Sequence, residues 1–197
     1  MNKTELKKHT KQFPQIDKLI TNLFQEEAGE FYIWLSKVQN NNSKDFLFQK
    51  VIFLIAPRAS GKTSLIKLLK DLFNYDMEII NQNDLTKEYP KFLTKKLIAI
   101  DEFNFYNQKM KDHFEKIKFL QTARYVGIER NGGLQELPVK GYSFLITTNM
   151  PFENLTNSRR NWIVKAPKVK HQDHADVKLF KYEMQAFHTF LNLIVKS

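Results

Sequence analysis

Ala56-Pro57-Arg58-Ala59-Ser60-Gly61-Lys62-Thr63 is the stretch on which the reading of this chain turns. Its closing Gly-Lys-Thr fits a phosphate-binding loop, with Ala56 where that pattern has its first Gly. Directly before it, Val51-Ile52-Phe53-Leu54-Ile55 is an apolar, β-branched and aromatic run of the kind a buried parallel strand uses. Directly after it, Leu65, Leu68, Leu69 and Leu72 recur at helical spacing. Strand, tight loop and helix form the context the motif requires. Backbone N–H groups of the loop and of the helix N-terminus then point at phosphates, and the helix dipole favours negative charge there. The expected nucleotide-binding segment is Ala56, Pro57, Arg58, Ala59, Ser60, Gly61, Lys62, Thr63 and Ser64. Lys62 would reach the β- and γ-phosphates of ATP, and the Thr63 hydroxyl would ligate Mg²⁺. Two residues depart from the usual loop. With Ala at position 56 the backbone there must avoid strongly positive φ, and Arg58 adds a bulky cation.

Outward from the loop, the acids come next. Leu97-Ile98-Ala99-Ile100 reads as a second buried strand, and Asp101-Glu102 emerge at its C-terminal end. Ligands of open α/β sheets bind at the C-terminal ends of strands, so this places two carboxylates beside the loop. Asp101 is expected to hold Mg²⁺, largely through water, and Glu102 to polarise an attacking water. A third strand, Phe144-Leu145-Ile146-Thr147-Thr148-Asn149, ends in polar residues at the same edge. A neutral amide such as Asn149 can hold the nucleophilic water or sense a γ-phosphate without adding charge.

The rest of the chain organises around these strands. Residues 1–45 read as an N-terminal helical region for oligomerisation or partner binding. Ile16, Leu19, Ile20 and Leu23 line one face of it, and Phe31, Trp34, Leu35 and Val38 another. Pro14 suits a helix start and Gly29 a break, while Gln39 to Lys44 is the clearest linker. Residues 46–168 form the core, with further strands expected at Met77–Ile80, Tyr142–Thr148 and Trp162–Val164. Tyr125–Arg130 and Leu134–Val139 flank Asn131-Gly132-Gly133, and Asn-Gly is the strongest short-range hairpin signal. Residues 169–197 close with a helix whose Val177, Phe180, Met184, Phe187, Leu191 and Ile194 form one apolar stripe. The fold class implied is α/β: a parallel sheet flanked by helices, with an inserted β-hairpin and a small helical appendage.

Composition sets the wider bounds. At 197 residues and 42% hydrophobic, the chain can bury a real core. Its net charge of +10 favours polyanionic partners, nucleic acid first and an anionic membrane surface second. The absence of Cys excludes disulfides and thiolate metal sites. No apolar run approaches the ~20 residues of a membrane span, so a soluble, intracellular protein is expected, with cytoplasm and host nucleus not distinguished. His171-Gln172-Asp173-His174 has a polar interior and reads as a solvated loop.

Taken together, Ala56–Thr63, Leu97–Glu102 and Phe144–Asn149 resemble the superfamily 3 helicases of viral and plasmid replication proteins, a branch of the AAA+-like ATPases. The resemblance covers about residues 48–168, and includes the helicase domain of Rep-type initiators. It implies a five-stranded P-loop NTPase sheet and an ATP hydrolase coupled to helicase activity, using ATP and Mg²⁺ on single-stranded DNA, with RNA also open. The family's hairpin grips nucleic acid with a basic residue, here Arg130 or Lys140. Its arginine finger falls at Ser158-Arg159-Arg160-Asn161-Trp162, so Arg159 or Arg160 would act from a neighbouring subunit of a homo-oligomeric ring, a hexamer. Such replication proteins often carry a nicking nuclease, and no nuclease activity is expected of this chain. Two other classes remain open from the residues alone: a P-loop kinase of a small acceptor, and a nucleotide-binding module that is not a motor.

Overall fold

The computed structural model describes residues 8–40, 50–87, 91–106, 108–130, 133–138, 142–150 and 157–194. Five strands form one parallel sheet: β1 (Val51–Ile55), β2 (Met77–Ile80), β3 (Leu97–Ile100), β6 (Ser143–Thr148) and β7 (Asn161–Lys165), in the order β2-β3-β6-β1-β7. Between β3 and β6 in sequence, β4 (Tyr125–Arg130) and β5 (Gly133–Pro138) pair as a separate antiparallel hairpin. Its strands follow the sequence expectation, shifted by one residue in the second.

Side-chain alternation along the strands divides the interior in two. Ile52 and Leu54 of β1, Leu97 and Ala99 of β3, Leu145 of β6 and Trp162 and Val164 of β7 face one side. Val51, Phe53, Ile98, Ile100, Phe144 and Ile146 face the other. Both faces are buried, which is why these strands read as continuous apolar runs rather than alternating ones.

The first face is covered by four helices: α1 (Pro14–Phe24), α2 (Ala28–Asn40), α3 (Lys62–Phe73) and α5 (Phe180–Ile194). Pro14 stands at the start of α1, where its missing N–H costs nothing. The N-terminus of α1 is also capped from afar: the Glu183 carboxylate on α5 accepts from Gln15 N–H at 2.9 Å and from Ile16 N–H at 2.9 Å. An anion there complements the helix dipole. The apolar faces foreseen on α1 and α2 are thus used inside the chain, packed with Phe180, Phe187 and Leu191. Any contact of this segment with a partner would have to use its remaining surface.

The second face is covered mainly by α4 (Met110–Thr122), whose Ile117 and Leu120 join the strands. Two expectations are corrected. The break in the N-terminal helices falls not at Gly29, which lies inside α2, but at Gln25, where the chain turns at φ 51 into a short 3-10 segment, Gln25–Glu27. And Val177, expected on the apolar stripe of the last helix, is half exposed in a 3-10 turn before α5 begins. The linker Gln39–Lys44 starts as the end of α2, and its residues 41–44 lie outside the described residues.

Candidate active site

Three strands deliver the site to one edge of the sheet. β1 ends at Ile55, paired with Thr148 at the end of β6 on one side and Lys165 at the end of β7 on the other. The chain then forms the loop Ala56–Gly61 and enters α3 at Lys62. Ala56 N–H donates to Thr148 O at 3.0 Å, which ties the root of the loop to β6.

Ala56 is 2% exposed and its φ is not positive. The left-handed turns fall later, at Ala59 (φ 59) and Gly61 (φ 104). The substitution of Ala for Gly at the loop's first position therefore carries no backbone penalty. Gly61 is required for two reasons: its φ, and a Cβ there would meet Leu19 Cδ1 on α1 at 2.7 Å. No side chain caps the N-terminus of α3, so its first-turn N–H groups lack intrahelical partners along the wall formed by Lys62, Thr63 and Ser64.

Lys62 folds back onto its own loop. Its ammonium donates to Ala56 O at 2.6 Å and Pro57 O at 2.8 Å. Burial pushes its pKa below the ordinary lysine range, opposed by the carboxylates of Asp101 and Glu102. Ser60, 3% exposed, has a buried hydroxyl with no hydrogen-bond partner.

On the far side of β6, β3 ends and the acids begin. Asp101 is gripped from both flanks: Thr63 Oγ1 donates to its Oδ2 at 3.1 Å, and Thr147 Oγ1 makes a short hydrogen bond to its Oδ1. Glu102 N–H adds a bond to Oδ1 at 3.1 Å. Glu102 itself sits at φ 56, a strained conformation for a residue with a Cβ. That turn brings Phe103 N–H back to Thr147 O at 2.8 Å and leaves the Glu102 side chain exposed.

A cleft of about 480 Å³ opens between these elements, lined by Arg58–Ser64, Asp101, Glu102, Asn149 and His174. The sequence-derived loop residues from Arg58 onward, the two acids and Asn149 therefore meet in one place. Ala56 and Pro57 form its root through their carbonyls to Lys62.

Other expected residues lie elsewhere. Arg159 and Arg160 are exposed at the start of β7, where Asn161 pairs with Val51. That is the opposite end of β1 from the loop, roughly 13 Å away along the strand at the usual rise per residue. Neither can serve the cleft of its own chain. The backbone there is fixed, with Arg160 O accepting from Val51 N–H at 2.8 Å and from Gln121 Nε2 at 2.9 Å. Arg130 ends β4 opposite Gly133. Lys140 lies outside the described residues.

Two contributors were not assigned by sequence. Thr147 reads as a strand residue, yet it is fully buried and orients Asp101. His174, read as part of a solvated loop, is half-buried and lines the cleft. No sequence signal marks it, since it reaches the site only through the return of the chain after β7.

The donors present suit a hard divalent cation. Thr63 and Asp101 offer oxygens 3.1 Å apart, and among the described residues no group of three or more His, Asp or Glu could hold a metal by itself. One carboxylate and one hydroxyl, completed by water and phosphate oxygens, is how Mg²⁺ is commonly held.

No protein-family model matches this sequence, and no curated protein does. Solved structures do. The apo structure of the NrS-1 C-terminal region (305–718) superposes with a TM-score of 0.72 at 21% identity, over 93% of this chain and 46% of that one. Two A-form apo structures of the same region give TM-scores of 0.67 at 21% identity and 0.69 at 20%, each over 92% of this chain and 44% of the other. This chain spans less than half the length of each of these three. The likeness, which extends over the helices as well as the sheet, is one of fold. Among the described residues no helix is long and apolar enough to cross a membrane.

Proposed function

We propose that this protein is an ATP-driven motor of the superfamily 3 helicase type, which hydrolyses ATP with Mg²⁺ and moves on single-stranded nucleic acid. The observation that carries the reading is the meeting of Lys62 and Thr63 with Asp101 and Glu102 in one cleft, the Thr63 hydroxyl 3.1 Å from Asp101.

Each residue then has a task. The α3 N-terminus and the loop receive the phosphates. Lys62 leaves the carbonyls of Ala56 and Pro57 and pairs with the β- and γ-phosphates, so the desolvated ammonium gains a counter-charge. Thr63 and Asp101 would hold Mg²⁺, which would supply positive charge to the phosphate oxygens. Glu102, exposed at the mouth of the cleft, accepts a proton from the attacking water. Asn149, at the end of β6 between loop and acids, positions that water.

The location of Arg159 and Arg160 supports a shared site. Being at the far end of β7, they can reach a γ-phosphate only on an adjacent subunit, which calls for a ring, a hexamer in this reading. The net charge of +10 and the hairpin β4–β5 supply the grip on a phosphate backbone. The test is strand separation of a partial duplex together with the mass of the particle in solution with ATP and a single-stranded oligonucleotide. A ring that unwinds supports the motor; a strict monomer under all conditions contradicts it.

A further inference from the structure

One face of α1 reaches both the loop beside the cleft and the segment that carries His174. Leu19 packs beneath Gly61 of the loop, its Cδ1 standing where a Cβ would come within 2.7 Å. Four residues earlier, Gln15 Oε1 accepts from Asp176 N–H at 2.9 Å. Three residues later, Asn22 Nδ2 donates to Asp173 O at 2.9 Å. Gln15, Leu19 and Asn22 share a helix face by their spacing. Two of them clamp the chain around His174, at Asp173 one residue before it and at Asp176 two residues after it, and the third supports the phosphate-side loop.

The segment so clamped leaves the sheet beside the loop, since Ala166 N–H donates to Ile55 O at 2.9 Å. It then returns through a 3-10 turn, His171–Asp173, and places His174 against the cleft. The side on which it does so matters. Asp101, Glu102 and Asn149 all follow strands on the β6 side of β1, whereas this segment follows β7 on the opposite side. A terminal phosphate lying between Lys62 and the acids leaves the remainder of a nucleotide to extend toward β7. An imidazole offers a flat face for a base and two ring nitrogens for a ribose hydroxyl or a base edge.

We propose that His174 contacts the nucleoside half of the bound nucleotide, and that Gln15 and Asn22 are positioning residues that hold it there from α1. This rests on the reading of the cleft as a nucleotide site. It makes the N-terminal helix part of the binding site and links occupancy of the cleft to the α1–α5 layer.

Calorimetric titration with ADP and with inorganic tripolyphosphate, both with Mg²⁺, separates the two halves of the ligand. His174→Ala is expected to weaken ADP about tenfold, the loss of one contact to a base, and to leave tripolyphosphate unchanged. Asn22→Ala is expected to weaken ADP selectively and less, with circular dichroism confirming an intact fold. Equal loss for both ligands, or no loss for either, in His174→Ala would overturn the nucleoside assignment. ADP binding unchanged in Asn22→Ala would overturn the positioning role. If the unaltered protein binds neither ligand, the nucleotide reading itself fails.

Discussion

Thr63 and Asp101, 38 positions apart in the chain, meet through a 3.1 Å hydrogen bond from Oγ1 to Oδ2. Thr63 is delivered by the first turn of α3 and Asp101 by the bend after β3, with β6 lying between β3 and β1. The intervening strand makes the distance right, because it sets the acids one strand away from the loop rather than against it. It also supplies Thr147, which fastens the other oxygen of Asp101. The carboxylate is thus held from both sides.

Thr147→Val tests that orientation. The change keeps the shape of a fully buried side chain and deletes only the hydroxyl that bonds Asp101. A loss of about 10–100-fold in kcat, or in apparent Mg²⁺ affinity, is expected, as for other partners that orient a metal ligand. Nucleotide affinity without metal should hold. Unchanged kcat and unchanged Mg²⁺ dependence would show that Asp101 needs no such support.

Restoring the usual glycine, Ala56→Gly, should bring no gain in nucleotide affinity, because φ at this position is not positive. It should cost about 0.5–1 kcal/mol through the greater freedom of the unfolded chain. Urea unfolding and ADP titration of the same variant measure both effects. A rise in affinity would mean that the Ala methyl obstructs the loop.

Arg159 and Arg160 stand at the opposite end of the sheet from their own cleft. Lys62→Ala and the double change Arg159→Ala, Arg160→Ala are each expected to abolish hydrolysis, the latter by about 10³-fold or more. Mixed together, the two inactive proteins should recover part of the activity. Some interfaces would then join an intact loop to an intact arginine. A mixture as inactive as its components would remove the arginine finger.

His113 on α4 is fully buried, with neither ring nitrogen hydrogen-bonded, and its ring meets Phe103 edge to face. Burial lowers its pKa, Asp112 opposing and Lys109 assisting. The unfolded chain therefore takes up this proton at a higher pH than the folded one. Stability contributed at neutral pH is lost as pH falls through the unfolded value, near 6.5, with a slope of at most about 1.4 kcal/mol per pH unit for one proton. His113→Phe should flatten that part of the stability profile relative to the parent. Parallel profiles between pH 7 and 5 would count against it.

What was legible in the sequence was what local chemistry decides. Val51–Ile55 and Leu97–Ile100 are apolar because both sheet faces are covered there, and their runs end where the structure ends them. Asp101, Glu102 and Asn149 could be placed because strand ends converge on one edge. Helix α4 was not foreseen: its sequence is rich in Lys, Asp and Glu, and only His113, Ile117, Leu120 and Gln121 are buried. The same limit hid Thr147 and His174, whose roles depend on which strand lies beside β3 and on where the chain returns after β7. A glycine likewise misled at position 29, since the helices are broken by the left-handed turn at Gln25.

The central claim is hydrolysis at the Lys62–Asp101–Glu102 cleft, and phosphate release from Mg²⁺-ATP with single-stranded DNA measures it most directly. The unaltered protein should release phosphate, and faster with DNA than without. Lys62→Ala should fall at least about 10²-fold while its circular dichroism spectrum is unchanged. A folded Lys62→Ala variant that hydrolyses ATP at the parental rate would contradict the assignment.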